Sequence, residues 1–154
     1  MSNDNAAGNM KEYVTATIGG QLFGLPIRQV QDVFMPERLT RVPLAPPEIA
    51  GVLNLRGRIV TLIDMRDRLG LQQPAGGGVV MAIGVESGGE SYGLLIDSVG
   101  EVLKLDDAGR EPNPINLDPR LARVSAGIHR LDGQLLMLIN VDRVLDLGVR
   151  SIAA

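Results

Sequence analysis

The sequence predicts a mainly β protein: two tandem copies of one small unit, each built of short strands that close or nearly close into a barrel. Three observations predict it. The first is a repeat: Gly24-Leu25-Pro26-Ile27-Arg28-Gln29-Val30-Gln31-Asp32-Val33 shares its pattern with Gly93-Leu94-Leu95-Ile96-Asp97-Ser98-Val99-Gly100-Glu101-Val102, at an offset of 69. The second is another repeated block, Ala50 through Asp64 against Ala126 through Asn140, at an offset of 76. The second copy thus carries seven more residues between its blocks (76 against 69). The third is a regular alternation of short Val/Ile/Leu runs with Gly, Pro and Asn turn signals.

The elements follow in order. Residues 13–18 and 21–25 read as a hairpin around Gly19-Gly20, because a two-residue turn of this kind demands positive φ. Ile27, Val30 and Val33 lie at spacing three, which suggests a helical turn entering a strand at 31–35. The proline-rich stretch 36–47 is an irregular loop. Residues 52–55 and 59–63 form a second hairpin around Arg56-Gly57, and a short helix at 65–69 stops at Gly70. Residues 72–78, Gln-Gln-Pro-Ala-Gly-Gly-Gly, read as a linker between the copies. The second copy repeats the order: a hairpin of 79–85 and 91–96 with a longer 86–90 loop, a strand at 102–105 and a loop at 110–119. It ends with a hairpin of 128–131 and 135–140 around Asp132-Gly133 and a helical turn at 142–147. The expected division is a disordered tail 1–11, a first subdomain 12–73, a linker 74–78 and a second subdomain 79–148. Units of this size bury only about 60% of their unfolded surface and are marginal alone, so the halves should lean on each other.

Composition narrows the function. The chain has 154 residues, 45% of them hydrophobic, and a net charge of −3. An acidic chain with two Phe, two Tyr and no Trp lacks both the basic face and the stacking platforms of a nucleic-acid binder. Without cysteine there is no disulfide, thiol nucleophile or cysteine metal site. No apolar run reaches the length of a membrane helix, and the polar start, Met1 to Asn9, lacks a signal-peptide pattern.

Catalytic readings are poorly supported. His129 is the single histidine, it has no evident nucleophile partner, and its first-copy counterpart is the apolar strand residue Leu53. Asp106-Asp107 are sequence neighbours whose side chains diverge, which suits a solvated turn better than a cation site. Gly76-Gly77-Gly78 lacks the Lys-Ser/Thr of a phosphate loop, and Met81 and Met137 read as core filler.

Arg56-Gly57 differs from these. The same turn in the second copy is Asp132-Gly133, an ordinary type I′ choice. With that geometry Arg56 takes positive φ at a cost on the order of 1 kcal/mol, which folding alone does not call for. One reading makes its guanidinium a forked contact for a partner's carboxylate or carbonyl; the other makes the turn type I and Arg56 plain surface. Ile27 and Val30 also carry two readings: core packing, echoed at Ile96 and Val99, or an apolar patch beside Asp32 that meets an amphipathic helix.

These residues have a familiar arrangement. Phe23-Gly24-Leu25-Pro26-Ile27 with Val30-Gln31-Asp32-Val33, Thr40-Arg41-Val42-Pro43, and Ile49-Ala50-Gly51-Val52-Leu53-Asn54-Leu55-Arg56-Gly57-Arg58-Ile59-Val60 resemble the CheW family of chemotaxis coupling proteins. The resemblance runs from about residue 12 to 147 and includes the closing block Gly127 to Leu145. It implies two tandem SH3-like five-stranded β-barrel subdomains packed side by side, with short helical turns, the first strand completing the other copy's barrel. It implies a non-catalytic adaptor, with no cofactor or metal, that bridges the cytoplasmic tips of chemoreceptors to the regulatory domain of the histidine kinase CheA. It places that adaptor in the cytoplasm at membrane-bound receptor arrays, without insertion into the membrane. The implied receptor-contact groove maps onto Ile27, Val30, Asp32, Arg56 with Gly57, Val79 and Val102, with Gly51 a sensitive position. Asp32 stands where many relatives carry Glu, which keeps the charge and shortens its reach. The competing readings are a regulatory module detached from a kinase or a CheV-like adaptor, a small hydrolase, and an oligonucleotide-binding barrel.

Overall fold

A computed structural model of the chain describes residues 9–36, 40–72 and 81–146. Its strands are β1 (Met10–Ile18), β2 (Gln21–Pro26), β3 (Val30–Phe34), β4 (Ile49–Leu55), β5 (Arg58–Asp64), β6 (Met81–Ser87), β7 (Glu90–Ile96), β8 (Ser98–Asp106), β9 (Ser125–Leu131) and β10 (Gln134–Ile139). Short helices are α1 (Met65–Leu69), α2 (Pro119–Val124) and α3 (Val141–Leu145); 3-10 turns occupy Ile27–Gln29 and Asp107–Gly109. The linker 74–78 and Val79 lie outside the described residues, as do 1–8 of the expected tail.

The strands form two five-stranded sheets, ordered β8-β1-β2-β10-β9 and β3-β6-β7-β5-β4. Moving every strand of one sheet to its counterpart in the other copy reproduces the other sheet. Each sheet thus takes one hairpin from its own half and three strands from the other, and sheet membership crosses the boundary expected near 74–78. The joins between copies are the parallel pairs β2–β10 and β5–β7 and the antiparallel pairs β1–β8 and β3–β6. Beyond β3, Thr40 exchanges two backbone hydrogen bonds with Val52 of β4, at 2.7 and 2.8 Å; beyond β8, Glu111 does the same with Ile128 of β9, at 2.8 and 2.9 Å. These bridges draw the two edges of each sheet toward each other.

Three expectations shift. The 86–90 loop is a two-residue turn, Gly88-Gly89 with φ of 61° and 82°, because polar Glu86, Ser87 and Glu90 continue the ladder. The 102–105 strand extends over Ser98–Asp106, because pairing with β1 overrides the poor strand propensity of its first residues. Helix α2 begins at Pro119, the last residue of the expected 110–119 loop, and runs through residues to which the sequence assigns no element. Asp118 caps it, accepting from the Arg120 N–H at 2.8 Å, with Pro119 in the first turn. Most of the seven extra residues of the second copy are spent on this helix.

The pattern of burial explains why β5 and β10 read as unbroken apolar runs: both their faces are covered. Met137 and Ile139 join Phe23, Leu25, Ile63, Ile83, Leu94 and others in a core shared by both sheets. Leu136 and Leu138 turn the other way, onto Tyr13. Leu53, Val60 and Leu62 make the matching cluster in the second sheet. The repeated glycine belongs to these clusters: a Cβ on Gly24 would lie 3.3 Å from Leu136 and Leu138, and one on Gly93 would lie 2.7 Å from Leu62. The helices repeat as well. Asp64 caps α1 by accepting from Asp67 N–H at 3.2 Å, and its counterpart Asn140 caps α3 by accepting from Arg143 N–H at 3.1 Å. Arg66 of α1 reaches across to Asp97, with contacts of 2.6 and 3.2 Å, while Gly19 N–H donates to the same carboxylate at 2.9 Å.

Candidate functional site

The β4–β5 turn is two residues long, since Leu55 pairs with Arg58. Arg56 has φ of 53° and Gly57 of 83°, the paired left-handed geometry of a type I′ turn. The Gly57 N–H donates to Asn54 Oδ1 at 2.9 Å, which clamps the turn from its own strand. The second-copy turn differs: Gly133 is left-handed at 82° but Asp132 is not. The strain therefore sits on the arginine, not on the aspartate that tolerates it better. The Arg56 side chain is exposed and makes no hydrogen bond or ion pair among the described residues.

Ile27 opens the first 3-10 turn and is 36% exposed, whereas its counterpart Ile96 is 2% exposed. Val30 begins β3, half-buried and packed against the shared core. Asp32, two residues on, is half-buried and pairs with Gly84 of β6. Gly51 is buried in β4 beside a register shift. Val102 is 47% exposed on β8, opposite Val14. The residues thus fall in three groups: Ile27, Val30 and Asp32 at one edge of the second sheet, Gly51, Arg56 and Gly57 at its other edge, and Val102 at an edge of the first sheet. No side-chain hydrogen bond or ion pair among the described residues joins one group to another.

The structure adds residues that the sequence reading passed over. Large apolar side chains are exposed in counterpart pairs, Val33 with Val102 and Ile59 with Leu135, and Leu44 and Ile115 are exposed in the loops that follow β3 and β8. Met35 is exposed too, where its counterpart is Lys104. Leu44 occupies the left-handed position of a turn closed by Ala45 N–H to the Val42 carbonyl at 3.3 Å, with φ of 64°. The signal was present: an apolar residue among prolines has no strand to bury it.

The candidate catalytic residues have structural surroundings. His129 is buried in β9 beside the Tyr13 ring, with centroids 6.3 Å apart, and its Nε2 has no hydrogen-bond partner. Burial holds its imidazole below the usual histidine range, opposed by the nearby Asp107 charge. Burial and Asp107 together raise the Tyr13 phenol. Asp106 caps the second 3-10 turn by accepting from Ala108 N–H at 3.0 Å, and Asp107 lies 3.6 Å from Lys11 and 3.4 Å from Arg110. No group of three or more His, Cys, Asp or Glu among the described residues converges to hold a metal.

Two strand-exchanged sheets that present apolar and charged side chains along their edges define a protein-binding β module. The chain belongs to the CheW-like domain family, whose model matches residues 12–148. Chemotaxis protein CheW of Rhizobium meliloti is 28% identical over 145 residues, covering 93% of this chain and 92% of the relative. The probable chemotaxis protein CheW of Rhizobium etli is 30% identical over 137 residues, covering 86% and 85%. The crystal structure of the scaffolding protein TtCheW from Thermoanaerobacter tengcongensis superposes with a TM-score of 0.79 at 30% identity, covering 90% and 89%. The chain is a chemotaxis coupling protein, an adaptor acting between chemoreceptors and the kinase CheA.

Proposed function

We propose that the coupling works by binding alone, with no covalent chemistry: one surface grips the cytoplasmic tip of a chemoreceptor and another grips the regulatory domain of CheA. The observation that carries the receptor half is Arg56, an exposed arginine held at φ of 53° with no hydrogen-bond or ion-pair partner among the described residues. A two-residue turn gains nothing in stability from arginine at that position, whereas a fixed guanidinium suits a forked contact with a partner's carboxylate or carbonyl. Ile27, Val30, Asp32, Val79 and Val102 supply the apolar and acidic remainder of the receptor surface, and Gly51 and Gly57 hold its backbone.

The counterpart pairs of exposed apolar residues support the kinase half. Two similar ends on one chain suit head-to-tail contact with a domain of the same double-barrel design, and such contacts close into rings when the rotation permits. Each interface of modest size gives affinity near the micromolar range, about 8 kcal/mol. Many linked contacts in an array raise effective affinity without new chemistry. A receptor shift changes kinase output only where the adaptor's contacts differ between kinase states. Residues 12–148 act as one unit, since each sheet draws strands from both halves. Among the described residues no helix is long and apolar enough to cross a membrane, which fits an adaptor recruited from the cytoplasm to receptor arrays. Co-sedimentation with receptor-bearing membranes, with and without CheA, tests the proposal. The chain should pellet with receptors alone and carry CheA with it; a chain left in the supernatant in both cases refutes it.

A further inference from the structure

Asp32 and Gly84 face each other across the β3–β6 ladder, where β3 bulges between Val30 and Asp32. A Cβ added to Gly84 would clash with Asp32 Oδ1 and lie 3.3 Å from Asp32 Cγ. The carboxylate therefore occupies the volume in which any other residue at 84 would place its side chain. The repeat provides an internal comparison. The counterparts of Gly84 and Asp32 are Thr15 and Glu101. In the first sheet the arrangement is reversed: Thr15 of β1 lies over Gly100 of β8, and its hydroxyl is committed to the Glu101 carbonyl at 2.7 Å. In the second sheet the polar group over the glycine is a carboxylate, and it makes no hydrogen bond or ion pair among the described residues. One sheet uses the glycine cradle to tie two strands together; the other uses it to hold an uncommitted negative charge flat on a sheet edge.

We propose that Gly84 is a positioning residue for the partner contact, acting through Asp32. The bare Cα of Gly84 lets the short aspartate side chain lie across β6, where one orientation of the carboxylate is favoured. A lysine or arginine of the receptor tip then meets a charge already in place, without the entropy cost of ordering a free side chain. Any side chain at 84 would lift the carboxylate off the sheet. The inference rests on the reading of Asp32 as a receptor contact, and the experiment separates the two.

Binding of a receptor-tip fragment is measured by calorimetry at low and moderate salt for the full chain, Asp32→Ala, Gly84→Ala and the double variant, alongside thermal melts. Asp32→Ala should weaken binding roughly tenfold and flatten its salt dependence. Gly84→Ala should weaken it several-fold with the same flattening, and the double variant should bind no worse than Asp32→Ala. Wild-type binding by Gly84→Ala, or a double variant weakened by the product of the two single effects, overturns the cradle and leaves Asp32 as a contact. Wild-type binding by Asp32→Ala overturns the contact itself. Should Gly84→Ala melt early, removal of the Asp32 carboxylate in the double variant should restore the melting temperature; failure to restore it overturns the cradle.

Discussion

The Nε–H of Arg68 donates to the carbonyl of Val144 at 3.0 Å, and Arg68 and Val144 are the same position in the two copies, 76 residues apart. Counterparts can touch only near the axis that relates the copies, so α1 and α3 meet there. The same guanidinium donates from Nη2 to the carbonyls of Arg143, at 2.8 Å, and Asp146, at 3.2 Å. It thus reinforces the end of α3, where the Arg143 carbonyl also accepts from the C-cap Asp146 N–H at 3.3 Å. Arg68 is 8% exposed, and burial lowers its pKa without neutralising it. Arg68→Met keeps the packing volume but removes the guanidinium donors from all three carbonyls. It should cost about 2–4 kcal/mol in urea unfolding, with receptor affinity unchanged when measured well below the transition.

Arg56 sets stability against binding. Asparagine tolerates the left-handed region better than arginine, so Arg56→Asn should stabilise the fold by up to about 1 kcal/mol in the same unfolding assay. It should also weaken receptor binding, because the guanidinium is gone. Arg56→Glu should weaken binding further with an unaltered circular dichroism spectrum. A variant that lost stability and kept affinity would place the arginine in the fold, not at the interface.

The parts of this protein readable from sequence are those in which local chemistry and tertiary context agree. The 69- and 76-residue offsets predict two equivalent sheets, and Gly70 ends α1 where expected; the positive φ of Arg56 is one of two readings, since the equally short Asp132-Gly133 turn leaves Asp132 outside the left-handed region. Exchange of strands between the copies is not local: nothing in β1 says that it pairs with β8 rather than with β3 of its own half, because the two copies present nearly the same edge. Helix α2 was obscured by the prolines before it, although Asp118-Pro119 is itself a helix-start signal. At the candidate site the sequence identified Ile27, Asp32 and Arg56 as residue types. It left the partial burial of Val30 undecided, and the exposure of Leu44, Ile59 and Ile115 depends on which face the fold leaves uncovered.

His129 gives the stability a pH dependence of known sign. Burial holds the folded-state imidazole below its unfolded value of about 6.5, so the unfolded chain binds the extra proton first. The stability it supports is complete above that value and is lost as pH falls toward the folded pKa, at no more than about 1.4 kcal/mol per pH unit. Leucine, which the first copy carries at the equivalent Leu53, cannot take the proton. The difference in melting temperature between His129→Leu and the parent should therefore grow in favour of the variant from pH 7.5 to pH 5.5. A constant difference would mean that the buried ring does not titrate in this range.

Ile27 and Val30 lie three residues apart and should respond differently to the same substitution. Ile27 is 36% exposed and lies outside the hydrophobic clusters, whereas Val30 packs on the shared core. Aspartate at Ile27 remains in water, so Ile27→Asp should lower receptor affinity with less than about 0.5 kcal/mol of lost stability. Aspartate at Val30 brings a charge against the core without a partner, and Val30→Asp should cost about 2–3 kcal/mol as well as affinity. Chemical denaturation separates the two variants before any binding is measured. Equal stability losses would mean that the 3-10 turn packs as tightly as the strand it feeds, and Ile27 would then cease to be a surface for a receptor helix.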